Sequence, residues 1–300
     1  MVKRIAFIGM GEAGGAIVSG WGGAYVNQIR AFDIKTDNPA TAEDMKARYL
    51  KLGVLGTDCP EEAVFEADII FSTVTADQAV KAASSAAQYL RPGAFWCDLN
   101  SCAPTSKQKA AEIIDDHGGR YVDVAVMSPI FPKCNMAPLF ISGPYAEEIE
   151  PILVSLPMSP RVVSKDVGVA SSIKMIRSVF VKGLEALTSE CMLAAVAAGV
   201  EQEVLTSLEV THSGINWDAQ AAQNFERAMV HGMRRAAEME EVAKTLTDLG
   251  LPTDMTNATV SWQRRIAGVG EKAPENPKAA GVKLMAEILL PRIFTPERRG

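Results

Sequence analysis

Little in this chain of 300 residues points to metals, disulfides or nucleic acid. It holds only three histidines, and its five cysteines (59, 97, 102, 134 and 191) form no CxxC pair. Neither a structural zinc site nor a disulfide framework is expected from that pattern. Aromatic residues make up 6%, too few for base-stacking platforms. With 30 basic against 36 acidic residues, the net charge of −6 repels phosphate backbones, so no nucleic-acid partner is expected. Long apolar runs are missing as well. The longest in the C-terminal half, Cys191 to Val200, is half of the ~20 residues that span a bilayer. The N-terminal apolar run is too short and glycine-broken for a secretion signal. These absences predict a cytoplasmic protein with no membrane partner.

What is present is ordinary globular material, with 48% hydrophobic and 22% charged residues. The length suggests two domains. In the first half, short runs rich in Ile, Val and Phe alternate with helix-like stretches. The runs are Lys3–Gly9, Gln28–Asp33, Ala67–Thr73, Gly93–Leu99 and Arg120–Ala125, with one more at Leu139–Gly143. Such runs read as strands buried on both faces, and the alternation predicts a doubly wound parallel sheet, an α/β Rossmann domain over residues 1–165. The second half, 166–300, reads as all-helical. It is entered through one long proline-free helix over Val167–Glu201, followed by helices near 201–211, 216–249, 253–268 and 277–290.

Gly9-Met10-Gly11-Glu12-Ala13-Gly14 fits GxGxxG directly after the first strand and at the start of a helix. In that context the glycines make a tight turn, let the backbone approach a pyrophosphate and let helix pack on strand. The helix N-terminus adds N–H donors and partial positive charge. Asp33 ends the second strand, placed to accept from an adenosine ribose diol. That favours NAD over NADP, although Lys35 nearby offers a cation for a 2′-phosphate. Val74 and Thr75, after the strand at 67–73, are expected to touch the cofactor's adenosine or ribose.

Four later segments, in order, carry a family resemblance. Asp98-Leu99-Asn100-Ser101-Cys102-Ala103-Pro104 resembles the D-x-S-T-x-x-P segment of β-hydroxyacid dehydrogenases. Asp123–Pro129 resembles their D-A-P-V-S-G-G loop, and Leu139–Gly143 the short strand that follows. Gly168–Lys174 resembles the opening of their long interdomain helix. The resemblance implies a nicotinamide-dependent dehydrogenase with Lys174 as general acid/base. It further implies Asn100, Ser101 and Ser128 as donors to a carboxylate-bearing substrate. The sequence departs from the family at Ser178, where an Asn usually stands four residues after the lysine, and at Ser128-Pro129, which replaces a glycine pair. The run at 174–187 is similar to a subgroup whose C-terminal domain has no known function.

The chemistry is coherent on its own terms. Removing hydride from an alcohol carbon needs a base on the hydroxyl, and the reverse needs an acid on the carbonyl. Lys174, Ser178 and Lys182 recur every four residues and share one helix face. Ser178 and Lys182 are therefore read as substrate-binding, with Glu185 as an alternative partner for Lys182. His231, Arg234, Arg235 and Glu238 form either a recognition cluster or a face of ion pairs. The alternatives to a hydroxy-acid dehydrogenase are an imine or keto reductase of the same architecture and a non-catalytic NAD-binding sensor. A homodimer is expected, and no metal.

Overall fold

The computed structural model describes residues 4–24 and 29–293. Lys3 and Gln28, which open two of the expected strands, lie outside the described residues. The chain forms two compact units, residues 1–175 and 176–300.

The first unit is one sheet of β1 (Ile5–Ile8), β2 (Ile29–Phe32), β3 (Leu55–Gly56), β4 (Ile69–Ser72), β5 (Phe95–Asp98), β6 (Arg120–Val126), β7 (Pro138–Ser142) and β8 (Ser159–Ser164). Its order is β3-β2-β1-β4-β5-β6-β7-β8, parallel throughout except where β7 runs against β6. The helices of this unit are α1 (Glu12–Trp21), α2 (Pro39–Leu52), α3 (Pro60–Val64), α4 (Ala79–Ala86), α5 (Pro104–Asp116) and α6 (Ala146–Ser155). Successive strand residues feed different cores. Phe7 and Phe71 stack at 5.1 Å with Trp21 in one cluster, while Ile8, Ile70 and Trp96 belong to the other. Such two-sided burial is what selects continuous apolar runs in a doubly wound sheet.

Four elements went unread in the sequence: β3, α3, α6 and β8. The strand β8 covers Ser159–Ser164, next to the expected domain boundary at 165/166, and α6 runs through Pro151. Proline is tolerated in β8 because the strand is at the sheet edge. The helix-like stretch that follows β4 is divided among a 3-10 turn at Ala76–Gln78, α4 and a second 3-10 turn at Ala87–Tyr89.

A 30-residue helix, α7 (Val169–Ala198), starts in the first unit and continues into the second. The units divide at Met175/Ile176 rather than at 165/166. The cause is local: backbone N–H groups in the first turn of α7 donate to Ser142 of β7 and Asp123 of β6. The second unit continues with α8 (Glu201–Thr211), α9 (Trp217–Asp248), α10 (Asp254–Gly268) and α11 (Pro277–Ile293). Its core gathers Met192, Phe225, Ile266, Met285 and Leu289. Gly281 breaks the helical path of α11 with φ +73°, and the Asp218 carboxylate accepts from Val282 N at 2.8 Å just beyond it.

Candidate active site

In an open α/β sheet, ligands bind at the carboxyl ends of the strands beside the point where strand order reverses. Here that point lies between β1 and β4. The 9–14 turn leaves β1 there. Gly9 has φ +89°, which only glycine adopts without strain, and its N–H donates to Phe32 O at 2.7 Å. A Cβ on Gly11 would meet nothing within 4 Å, so the backbone is open on that side. Gly11 is also the N-cap of α1 and offers no side chain to the helix's first N–H groups. Met10 is fully buried, Glu12 is exposed and Ala13 half-buried. These features fit a pyrophosphate bound by backbone donors.

Asp33 is 7% exposed. Its Oδ2 accepts from Met10 N at 2.8 Å and its Oδ1 from Lys35 N at 3.0 Å. The carboxylate thereby ties the end of β2 to the glycine turn, and each oxygen has a second lone pair to offer a ribose hydroxyl. Two residues of this turn were missed in the sequence. Thr73 donates from Oγ1 to Gly9 O at 2.6 Å, and Arg48 donates to Gly11 O at 2.8 Å. Val74 is half-buried and Thr75 exposed beside Thr73. Only the proximity of β1 and β4 makes Thr73 part of the turn, and no local pattern signals that.

Gly14 is closely packed as well. A Cβ there would stand 2.8 Å from Thr73 Oγ1 and 2.9 Å from Gly9 O. Gly14→Ala is expected to force the turn open, destabilising the protein by about 1–3 kcal/mol through overpacking. Titration with NADH should show clearly weaker binding. Unchanged affinity in a folded variant would remove the turn from the cofactor site.

Lys174, half-buried on α7, donates from Nζ to Ser101 Oγ at 2.6 Å. Ser101 follows β5 in the loop before α5, so the structure brings together two residues 73 apart in sequence. Asn100 was expected to donate to substrate, but it is 4% exposed and its Nδ2 donates to Ser72 Oγ at 2.9 Å. Its Oδ1 is buried without a hydrogen-bond partner. Ser128 is half-buried, its Oγ donating to Pro129 O at 3.0 Å.

In the second unit, Ser178 is 6% exposed and Lys182 Nζ donates to its Oγ at 3.4 Å. Lys182 is itself 6% exposed and pairs with Glu238 at 2.8 Å, not with Glu185. Glu185 instead receives Arg227 at 3.0 Å and Arg235. Arg234 reaches Glu238 at 3.9 Å. The cations around His231 are therefore engaged in ion pairs within their own unit, Arg227 and Arg235 reaching from α9 to α7 and Arg234 staying within α9. Among the described residues, no group of His, Cys, Asp and Glu could hold a metal ion. No helix among them is long and apolar enough to cross a membrane.

Residues 4–128 match the NAD-binding domain of 6-phosphogluconate dehydrogenase, and residues 195–266 match a domain of unknown function, DUF1932. A conserved hypothetical protein from Sinorhizobium meliloti is 34% identical, with 97% of each chain covered and a TM-score of 0.76. The Mycobacterium tuberculosis 3-hydroxyisobutyrate dehydrogenase, solved with L-serine, is 17% identical over 96% of this chain and 99% of its own, with a TM-score of 0.72. An imine reductase from Myxococcus stipitatus, solved with NADP+, is 18% identical over 96% and 99%, with a TM-score of 0.54. At those identities the last two show a shared fold. The first unit is thus an NAD(P)-binding Rossmann-type domain followed by a helical one, the fold of hydroxyacid dehydrogenases, and the chain belongs to the β-hydroxyacid dehydrogenase-like proteins with a C-terminal DUF1932 domain.

Proposed function

We propose that this protein is an NAD(P)-dependent oxidoreductase acting on a β-hydroxy acid or a related alcohol, with Lys174 as general acid/base. The observation that carries the reading is the 2.6 Å contact between Lys174 Nζ and Ser101 Oγ. The cofactor supplies or accepts the hydride at its nicotinamide ring. This chain's part is to hold the substrate oxygen and move its proton. A serine that accepts from an ammonium can donate onward, so Lys174 and Ser101 together would grip a substrate hydroxyl or carbonyl oxygen. Ser128 would add a donor to the substrate carboxylate. Ser178, one helical turn after Lys174, and Lys182 after it would extend that polar face.

Asp33 favours NAD. An already buried carboxylate accepts ribose hydroxyls readily and repels a 2′-phosphate, while Lys35 is the residue that would accommodate one. The exposed apolar residues Phe180, Leu187 and Met233 support a homodimer. The imine reductases that share the fold give a second reading, in which Lys174 would serve a C=N substrate. A third, the NAD-binding sensor, would leave the Lys174–Ser101 pair without a task.

The test is a screen for NADH and NADPH turnover against hydroxy acids, alcohols, keto acids and cyclic imines. Oxidation of a hydroxy acid with NAD supports the proposal. Turnover of imines alone would replace it with the second reading, and cofactor binding without any turnover with the third.

A further inference from the structure

Ser72, Asp98, Asp123 and Ser142 are register partners on β4, β5, β6 and β7. Partners across a sheet project to the same side, so these four side chains stand in one row, each 0% exposed. Two carboxylates facing one another on neighbouring strands repel, and burying a charge without a partner is unfavourable. Lys107, fully buried on α5, answers both problems. Its Nζ donates to Asp98 O at 2.6 Å and Oδ1 at 2.9 Å, and lies 3.5 Å from Asp123 Oδ1. The Tyr121 hydroxyl donates to Asp98 Oδ2 at 2.7 Å.

The remaining acceptors of Asp123 face the start of α7. Oδ2 accepts from Gly168 N at 3.1 Å and Ser171 N at 3.0 Å, and Oδ1 from Ser171 Oγ at 2.6 Å. Ser142 Oγ bridges, donating to Asp123 Oδ2 at 3.1 Å and accepting from Ala170 N at 3.0 Å. N–H groups that a helix N-terminus leaves unmade are thus taken up by the sheet, with a negative charge at the positive end of the helix.

We propose that Asp123 is a positioning residue for Lys174. Its carboxylate pins the first turn of α7, and the lysine stands one turn further on. Ser101, the other member of the pair, sits in a loop held by the same row, since Asp98 Oδ1 accepts from Asn100 N at 2.9 Å. Lys107 joins the two carboxylates, so both members of the Lys174–Ser101 contact are referenced to one buried cluster. Misplacing such a pair by about 1 Å lowers a rate by about 10²-fold. The inference rests on the functional reading only for the catalytic role of Lys174, because the positioning itself can be read without turnover.

Asp123→Asn preserves size and leaves Lys107 and Asp98 as a neutral pair, so no lone buried charge results. Ser171→Ala removes a single hydroxyl. Each variant is compared with wild type by hydrogen–deuterium exchange over 168–172 and by competitive acetylation with acetic anhydride, quantified by peptide mass spectrometry. Loss of hydrogen bonds to a charged acceptor is expected to speed exchange in that turn about tenfold or more. Acetylation of Lys174 should accelerate while other lysines are unchanged. Wild-type exchange and acetylation in folded Asp123→Asn would overturn the proposal, and the same result in Ser171→Ala would overturn it if Asp123→Asn does not fold. If Lys174 reacts faster in these variants while Lys174→Met keeps full turnover, the functional reading falls and the positioning stands.

Discussion

Lys174→Met is expected to lower kcat by about 10²–10⁴-fold, the usual contribution of a positioned acid or base, while leaving NADH affinity unchanged. Methionine keeps the unbranched stem of lysine and lacks the ammonium, so the helix is not disturbed. Cofactor binding is assigned to the glycine turn and to Asp33, which is bonded to Met10 N and Lys35 N. Substrate binding should weaken less than turnover, since Ser101 and Ser128 remain as donors. Ser101→Ala makes the informative companion, because it removes the acceptor that holds Nζ at 2.6 Å but keeps the amine. Its loss should be smaller. Steady-state assays that follow nicotinamide absorbance give both values. Turnover within about tenfold of wild type in Lys174→Met would remove the lysine from the chemistry.

The largest effect on stability is expected at Lys107. Lys107→Met leaves the Asp98 and Asp123 carboxylates side by side with no cation, and breaking a buried ion pair from one side destabilises by about 3–5 kcal/mol. Urea unfolding at neutral pH measures it. Burial by itself would push the Lys107 ammonium down, but Asp98 and Asp123 outweigh it and hold the group above the ordinary lysine value. A raised value in the folded state means that protonation stabilises the fold. That contribution is complete below the unfolded lysine value of ~10.4 and is lost as pH climbs toward the folded one. The Tyr121 hydroxyl, raised first by burial and then by Asp98 and Asp123, loses stability over the same alkaline side. Wild type should therefore hold its stability through neutral pH and lose it above about pH 10, and Lys107→Met should show a shallower alkaline loss that retains the Tyr121 part. Adding Asp98→Asn to Lys107→Met should recover part of the loss, since only one buried carboxylate then remains. A change under about 1 kcal/mol in Lys107→Met would mean that the cluster is not held by charge.

Local pattern was enough for the architecture. Runs such as Ile5–Ile8 and Ile69–Ser72 are apolar at nearly every position because both faces are covered, and the absence of such runs after residue 166 marks the helical half. GxGxxG after a strand identified the turn, and Asp33 followed from its place at the end of β2. The elements at 146–155 and 159–164 went unread although they hold Pro151 and Pro160, which an edge strand and a short surface helix tolerate where a central element does not. The site was only half legible. Lys174 and Ser101 came from motif resemblance, and Asn100 came with them, yet its side chain turns to Ser72. Lys107 looks like any lysine on a helix that follows a proline, and Asp98 and Asp123 look like strand ends.

What the sequence by itself determined is therefore most of the elements, the glycine turn after the first strand and the residue types available for proton transfer, all of which depend on neighbours a few positions away. The tertiary structure alone decided which side chains meet. Strand order and register set Ser72, Asp98, Asp123 and Ser142 in one buried row, and helix packing gave Lys182 to Glu238 rather than to Glu185. A side chain's partner depends on which strand or helix lies beside its own, and that is settled by burial of the whole core rather than by spacing along the chain.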